Sequence, residues 1–146
     1  MNRVDFYILQ DQNPPEKFAC VMANKLVHQG MDIHIHTDNR DTAASLDDYL
    51  WTWRDISFLP HKLVDDRELP DTPVTIGWNG SAHNDAGVLI NLGMNIPDFA
   101  GSFARIIEIV AAYDPPRTQA RDRYRQYRER GYELHNHDIE PKDANI

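Results

Sequence analysis

The sequence predicts an α/β fold, a single domain built on an open, mostly parallel sheet with helices on both faces. The first observation is a strand pattern, a helical pattern and a second strand pattern within about 35 residues, which together form a strand–helix–strand unit. Strands joined in this way run parallel, with a right-handed crossover. The second observation is that strand and helix patterns keep alternating along the chain, as in a doubly wound sheet.

The first strand–helix–strand unit has the clearest local signals. Residues 4–9, VDFYIL, are rich in β-branched and aromatic side chains and predict a buried strand. The prolines at 14 and 15 mark the start of a helix, and Gly30 marks its end. Residues 31–37 alternate isoleucine with histidine and predict the second strand. The apolar residues of the helix, spaced by three and four, are Phe18, Val21, Met22 and Leu26.

The remaining elements continue this alternation. A second helix, predicted over residues 40–50, ends near Trp51 and is followed by an irregular segment that contains prolines. Two short strands, a helical turn, another strand and a long helix closed by Gly131 come next. In chain order these predictions are 52–73 (irregular), 74–78 and 88–92 (strands), 97–100 (helical turn), 104–110 (strand favoured over helix), 115–130 (helix) and 135–146 (polar, solvated tail).

Length and composition restrict the class of protein. A chain of 146 residues predicts one domain, over residues 1–146, that can bury a hydrophobic core. The 41% hydrophobic share is typical of a globular protein, and no apolar run is as long as a membrane span. A single cysteine, Cys20, excludes an internal disulfide and is expected to be an inert, buried thiol. We therefore expect a protein of the reducing cytosol with no signal peptide and no membrane partner.

The charge of the chain is unevenly distributed. The net charge is −8, yet residues 117–130 contain six arginines and two acids and carry +4, which leaves −12 elsewhere. An acidic body repels phosphates, so strong direct binding of nucleic acid is not expected. A basic patch on such a body suits a small, local anionic partner.

Few residues favour catalysis. The first strand-to-helix turn, residues 10–15, is where a doubly wound sheet binds nucleotides, but it lacks glycine and lysine. His34, His36 and Asp38 have a spacing that could hold Zn²⁺ or Fe²⁺, which makes a small metal-dependent enzyme the alternative function. A polar strand face, packed under a helix or lying at a sheet edge, explains the same pattern and is favoured. We therefore expect no catalytic residue, cofactor or metal.

Two features favour contacts with other proteins. The first is an aromatic segment after the second helix; its candidate partner-facing residues are Trp51, Phe58, Leu59 and His61. Exposed tryptophan and phenylalanine mark partner contacts, although the same side chains can close the end of a core. The second is the last helix, on which one face is formed by Arg117, Arg121, Tyr124, Arg125 and Arg128. Guanidinium groups beside a tyrosine ring bind carboxylates next to an apolar group; a solvated basic face is the alternative.

Five short motifs carry a resemblance to a known family. They are FYIL at residues 6–9, LDDYLW at 46–51, SFLPH at 57–61, VTIGW at 74–78 and ARDRYRQYR at 120–128. In these motifs, and over nearly the whole chain, the sequence resembles the chi subunits of bacterial DNA polymerase III holoenzyme. Arg125 stands where family members can carry lysine, a change that keeps the charge.

The resemblance implies a Rossmann-like fold without a phosphate-binding loop, and a non-catalytic role. Chi subunits link the clamp loader, through the partner subunit psi, to the acidic C-terminal tail of single-stranded DNA-binding protein. Carried over to this chain, the tail site is Arg117, Arg121, Tyr124, Arg125 and Arg128. The psi-facing residues are Trp51, Phe58, Leu59 and His61. The resemblance also implies a monomer or a heterodimer with psi, which is not present in every bacterium that has chi.

Overall fold

Seven strands form one open sheet in the computed structural model, which describes residues 2–10, 14–52, 61–63, 74–78 and 87–139, with the backbone alone at 49–52 and 61–63. The strands are β1 (Arg3–Leu9), β2 (Ile33–His36), β3 (His61–Leu63), β4 (Val74–Gly77), β5 (Val88–Asn91), β6 (Arg105–Val110) and β7 (Glu133–Ile139). Their order is β3-β4-β2-β5-β6-β1-β7, and every pairing within these ranges is parallel. The predicted open, parallel α/β sheet is confirmed.

Helices cover the sheet on both faces. They are α1 (Pro15–His28), α2 (Arg40–Thr52), a short 3-10 helix (Asp98–Ser102) and α3 (Pro116–Glu129). On one face, α1 and α2 pack over alternate side chains such as Ile35 and Ile107. On the other face, α3 and the 3-10 helix cover Phe6 and Ile106. Burying one such side chain stabilises the fold by about 1.5–3 kcal/mol. Among the described helices, none combines the length and apolar character needed to cross a membrane.

Proline and glycine define the ends of two helices, as the sequence predicts. α1 begins directly after an extended Pro14, and the chain leaves it through Gly30 at φ +85°. α3 begins at Pro116 and is followed by Gly131 at φ +83°. Proline suits a helix start because it has no N–H to leave unpaired, and glycine adopts positive φ without steric cost.

The structure contains two strands that the sequence did not predict. β3 lies in the segment predicted to be irregular, and β7 covers residues 133–139, where the sequence predicts a solvated tail from 135 onward. The prediction of a tail that begins at 135 is therefore wrong. The sequence of β7, ELHNHDI, is polar because an edge strand is only partly buried. Its pairing with β1, from Arg3↔Glu133 to Leu9↔Ile139, is what defines the strand.

A buried carboxylate holds β7 to the sheet. The side chain of Asp5 is fully buried and accepts hydrogen bonds from Arg3 and Arg105, each at 2.9 Å. His137 Nε2 lies 2.9 Å from the same carboxylate, and its ring stacks on Tyr7 with centroids 4.6 Å apart. Burial alone would raise the pKa of Asp5, but these hydrogen bonds bring it down to about 2. The charged Asp5 therefore joins β6, β1 and β7.

Candidate functional site

A cleft of about 300 Å³ lies between α3 and the strands β6, β1 and β7. Its lining consists of an apolar floor, a basic wall and one amide. The floor consists of Phe6, Ile8, Val110 and Ala120; the basic wall consists of Arg117, Arg121 and Tyr124; the amide belongs to Asn136. A concave, mostly apolar cleft with a few charged groups is the usual form of a binding site for a small ligand or a peptide.

The basic wall faces the cleft because α3 has two distinct stripes. Ala120, Arg123 and Tyr127, spaced by three and four residues, are buried against the sheet. The neighbouring stripe therefore lies over the cleft, and its Tyr124 is only partly buried. The ring of Tyr124 lies 5.1 Å, centroid to centroid, from that of Phe6. This contact is where the basic wall meets the floor.

Three of the five residues predicted on the basic face line the cleft, namely Arg117, Arg121 and Tyr124. The other two do not. Arg125 lies about 100° further round the helix than Tyr124; its side chain is 63% exposed, with Asp122 3.9 Å away. Arg128 is also exposed, beyond the cleft along α3. These two arginines add positive charge near the site without forming part of its lining.

An acid just before α3 is hydrogen-bonded to the first turn of the helix. Asp114 accepts hydrogen bonds from the backbone N (3.0 Å) and the hydroxyl (2.8 Å) of Thr118. These bonds lower the pKa of Asp114, and the charges of Arg121 and Arg117 lower it further. The two arginines are one helical turn apart on α3. Guanidinium groups so placed beside an apolar floor fit a ligand that has both a carboxylate and an apolar side chain.

The sequence did not predict the strand residues that line the cleft. Phe6, Ile8, Val110 and Asn136 belong to three strands that are far apart in the sequence. Parallel pairing brings them together, since Ile8 lies opposite Val110 and Phe6 lies opposite Asn136. The motif on α3 carries no information about these pairings. The strand order of the sheet, with β7 beside β1, is the signal that identifies them.

The four residues predicted to face psi lie away from this cleft or outside the described ranges. Trp51 belongs to the last turn of α2, and His61 is the first residue of β3; for both, only the backbone is described. Phe58 and Leu59 lie outside the described residues. β3 forms the sheet edge opposite β7, and α2 packs against β3 and β4. The cleft therefore lies towards the β7 edge of the sheet, whereas α2 and β3 lie towards the opposite edge.

The histidines of β2 pack within the protein. His34 is fully buried, and its Nδ1 lies 2.7 Å from the hydroxyl of Thr75 on the neighbouring strand. Burial lowers the pKa of His36, and the Asp38 carboxylate accepts a hydrogen bond of 2.8 Å from the backbone N of Met94. In the part of the chain that the structure describes, no three histidine, cysteine or carboxylate groups are arranged to hold a metal ion. The contact between His34 and Thr75 is that of a packed strand face.

The fold and the cleft define a class of protein: a doubly wound α/β protein with a candidate peptide or small-ligand site on its last helix. The family model for the DNA polymerase III chi subunit, HolC, matches residues 1–135. The chain belongs to this DNA replication family, and the resemblance carried by the five motifs is confirmed.

Three relatives support the assignment, and each is named DNA polymerase III subunit chi. The Pseudomonas aeruginosa protein is 37% identical over 139 residues, 94% of this chain and 96% of the relative. The Haemophilus influenzae protein is 36% identical over 132 residues, 88% of this chain and 92% of the relative. The Escherichia coli protein is 29% identical over 143 residues, 92% of this chain and 96% of the relative.

Proposed function

We propose that this chain is a non-catalytic accessory subunit that links the clamp loader of DNA polymerase III, through psi, to the acidic C-terminal tail of single-stranded DNA-binding protein. The observation that carries the proposal is the cleft beside α3, where the basic wall stands over an apolar floor. Membership of the chi family supplies the setting in DNA replication.

The tail has the two chemical features that the cleft fits. In the chi family, its partner tail is acidic and ends in Pro-Phe with a free α-carboxylate. The phenylalanine ring packs in the cleft beside Tyr124 and over Ile8 and Val110 of the floor, where aromatic and aliphatic groups are available. Arg117 and Arg121, one turn apart, bind the α-carboxylate beside it.

The arginines outside the cleft are proposed to attract the tail rather than to hold it. Arg125 and Arg128 are exposed and attract the acidic residues of the tail from further away. Exposed charges raise the rate of association more than they raise the affinity. A short peptide that becomes ordered on binding then has micromolar affinity, on the order of −8 kcal/mol.

The test is calorimetric titration with the tail peptide and with the same peptide lacking its final phenylalanine. We expect the shorter peptide not to bind, because its acids are retained but nothing fills the floor. Arg121→Ala is expected to lower the affinity for the full peptide by about tenfold. Arg130→Ala, an exposed arginine at the end of the same helix, is the matched control. If Arg121→Ala binds the full peptide with unchanged affinity and the shortened peptide also binds, the tail site lies elsewhere on the protein.

For the second partner, we propose that Trp51, Phe58, Leu59 and His61 form the surface that contacts psi. The support is their position in the family motifs LDDYLW and SFLPH, in a segment that joins α2 to the edge strand β3. Aromatic and leucine side chains at the centre of an interface supply much of its binding energy.

Phe58→Ala tests this surface. Truncating a central aromatic side chain at an interface costs about 2–4 kcal/mol, so pull-down of psi should fall sharply. Tyr113→Ala, which removes a 40% exposed ring elsewhere on the molecule, is the control. Circular dichroism verifies that both variants fold. A folded Phe58→Ala protein that retains full affinity for psi would contradict the assignment.

A further inference from the structure

Glu108 is a carboxylate buried on the sheet face that α3 covers. It is fully buried on β6. One oxygen accepts a hydrogen bond from Arg123 Nε at 3.0 Å; the other accepts from the Tyr127 hydroxyl at 2.7 Å and from Asn91 Nδ2 at 2.9 Å. Burial raises the pKa of Glu108, whereas the charge of Arg123 and the three donors oppose that rise. Three donors around two oxygens suit the ionised carboxylate.

Two of these donors belong to α3 and are one turn apart. Arg123 and Tyr127 stand at i and i+4, and their exposed fractions are 6% and 0%. Apolar contact is non-directional, so it restrains rotation or sliding of a helix on the sheet less sharply than directional bonds do. Hydrogen bonds are directional, and two of them to one carboxylate restrict both movements. Arg123 adds a further bond, from Nη1 to the carbonyl oxygen of Met94 at 2.9 Å.

The same rotation of α3 determines the shape of the cleft. Tyr124 follows Arg123 directly in the helix and contacts Phe6, with ring centroids 5.1 Å apart. Phe6 also meets Tyr127 edge to face, at 6.0 Å. A single floor residue therefore touches both an anchored residue and a residue of the basic wall. Any rotation of α3 that breaks the bonds to Glu108 also moves Tyr124 and Arg121 relative to the floor.

We propose that Glu108 is a positioning residue for the cleft. Through Arg123 and Tyr127 it sets the rotation of α3, so that the basic wall faces the apolar floor. Glu108 and Tyr127 do not line the cleft, and they act on a ligand only through the placement of the basic wall. The consequence for peptide affinity rests on the proposed function, whereas the position of α3 is measurable without a ligand.

The experiment compares Glu108→Gln and Tyr127→Phe with Ile90→Val. Tyr127→Phe removes one hydrogen bond and leaves Glu108 with Arg123 and Asn91, so it provides a mild variant in case Glu108→Gln fails to fold. Ile90→Val removes a methyl group from the core under the opposite face of the sheet and controls for general loss of stability. Nuclear Overhauser contacts between the rings of Phe6 and Tyr124 report the position of α3 in the free protein. Calorimetry with the tail peptide measures the affinity of the cleft for its proposed ligand.

We expect Glu108→Gln and Tyr127→Phe to weaken the ring contacts and to bind the peptide about tenfold more weakly. Ile90→Val is expected to retain both the contacts and the affinity. Unchanged ring contacts in the folded variants, or unchanged affinity despite lost contacts, would overturn the role of Glu108. If the unsubstituted protein itself does not bind the peptide, the proposed function fails, and the ring contacts still decide whether Glu108 positions α3.

Discussion

The imidazole of His137 lies 2.9 Å from the carboxylate of Asp5, a residue 132 positions earlier in the chain. This contact joins β7 to β1, and Tyr7, two residues further along β1, stacks on the same imidazole. An edge strand of polar sequence is thus held by a buried charge in addition to its backbone pairing.

Asp5→Asn is expected to lower the free energy of unfolding near neutral pH by about 1–3 kcal/mol, because the surrounding cations lose a charged acceptor. The pKa of Asp5 in the folded protein is about 2, below its ordinary value of 3.8. Its stabilisation is therefore complete above the ordinary value and is lost as the pH falls towards about 2. Denaturant unfolding across this pH range measures the effect, with the exposed Asp138→Asn as control. A difference between Asp5→Asn and the unsubstituted protein that persists in acid would contradict this account.

Arg121→Ala is expected to weaken tail binding more than Arg125→Ala. Arg121 lines the cleft, whereas Arg125 is 63% exposed and is paired with Asp122. An exposed charge of this kind contributes about 0–1 kcal/mol, so we expect about tenfold weaker binding for Arg121→Ala and about fivefold or less for Arg125→Ala. Fluorescence anisotropy with a labelled peptide measures both. Equal losses would place the peptide along the outer face of α3 instead of in the cleft.

Tyr124→Ala is expected to weaken tail binding by about 2 kcal/mol, because it removes the aromatic part of the basic wall. Salt screens charges but leaves apolar contacts in place. The loss should therefore persist at high salt, where binding by every protein is weaker. Calorimetry at two salt concentrations tests this, with Tyr113→Ala as the control for removal of an exposed ring. A loss that disappears at high salt would show that Tyr124 acts only through its charged neighbours.

Cys20 is expected to react slowly with alkylating reagents in the folded protein. Its side chain is fully buried in α1, and burial raises the pKa of the thiol to about 12. Thiolate is the reactive form, so little of it is present near neutral pH. Iodoacetamide labelling followed by mass spectrometry should show slow reaction in buffer and rapid reaction in denaturant. Equal rates under the two conditions would be inconsistent with the buried position.

Gly131→Ala is expected to destabilise the protein by about 1–2 kcal/mol, because an L-residue with a side chain rarely adopts the left-handed backbone conformation. Gly131 follows α3 at φ +83°, and a Cβ at this position would meet no atom within 4 Å, so the cost is conformational rather than steric. A Cβ at Gly87 would also meet no atom within 4 Å, but the φ of Gly87 is not in the left-handed range, which makes Gly87→Ala the matched control. Thermal unfolding measures both variants. Equal melting temperatures would remove the conformational explanation.

Signals that are local in the sequence predicted most of the fold. Pro15 at the start of α1 and Gly131 after α3 restrict the backbone at their own positions. The alternating pattern of residues 33–36 predicts which side chains of β2 share a face, although both faces of this strand are buried. The strand–helix–strand unit predicted the parallel sheet. β7 was missed because its residues are polar, and only the pairing with β1, far away in the sequence, makes it a strand.

The candidate site also contains residues that one segment of sequence predicts and residues that depend on strand order. Arg117, Arg121 and Tyr124 lie on one helix, so their spacing predicted that they share a face. The floor at Phe6 and Val110 depends on strand order and could not be predicted from one segment. The predicted basic face was also wider than the cleft, since five residues cover more of the helix circumference than the cleft does.

The order of the strands has a mechanical consequence. Six inter-strand spacings of about 4.8 Å, roughly 29 Å in all, separate the outer strands β3 and β7. Tension applied between these edges acts along the inter-strand hydrogen bonds and tends to peel strands apart rather than to stretch them. α1 packs on both β2 and β6, and α3 packs on both β6 and β7, so each helix braces strands across the direction of the load. Resistance to force between the two edges therefore depends on the helices as much as on the sheet.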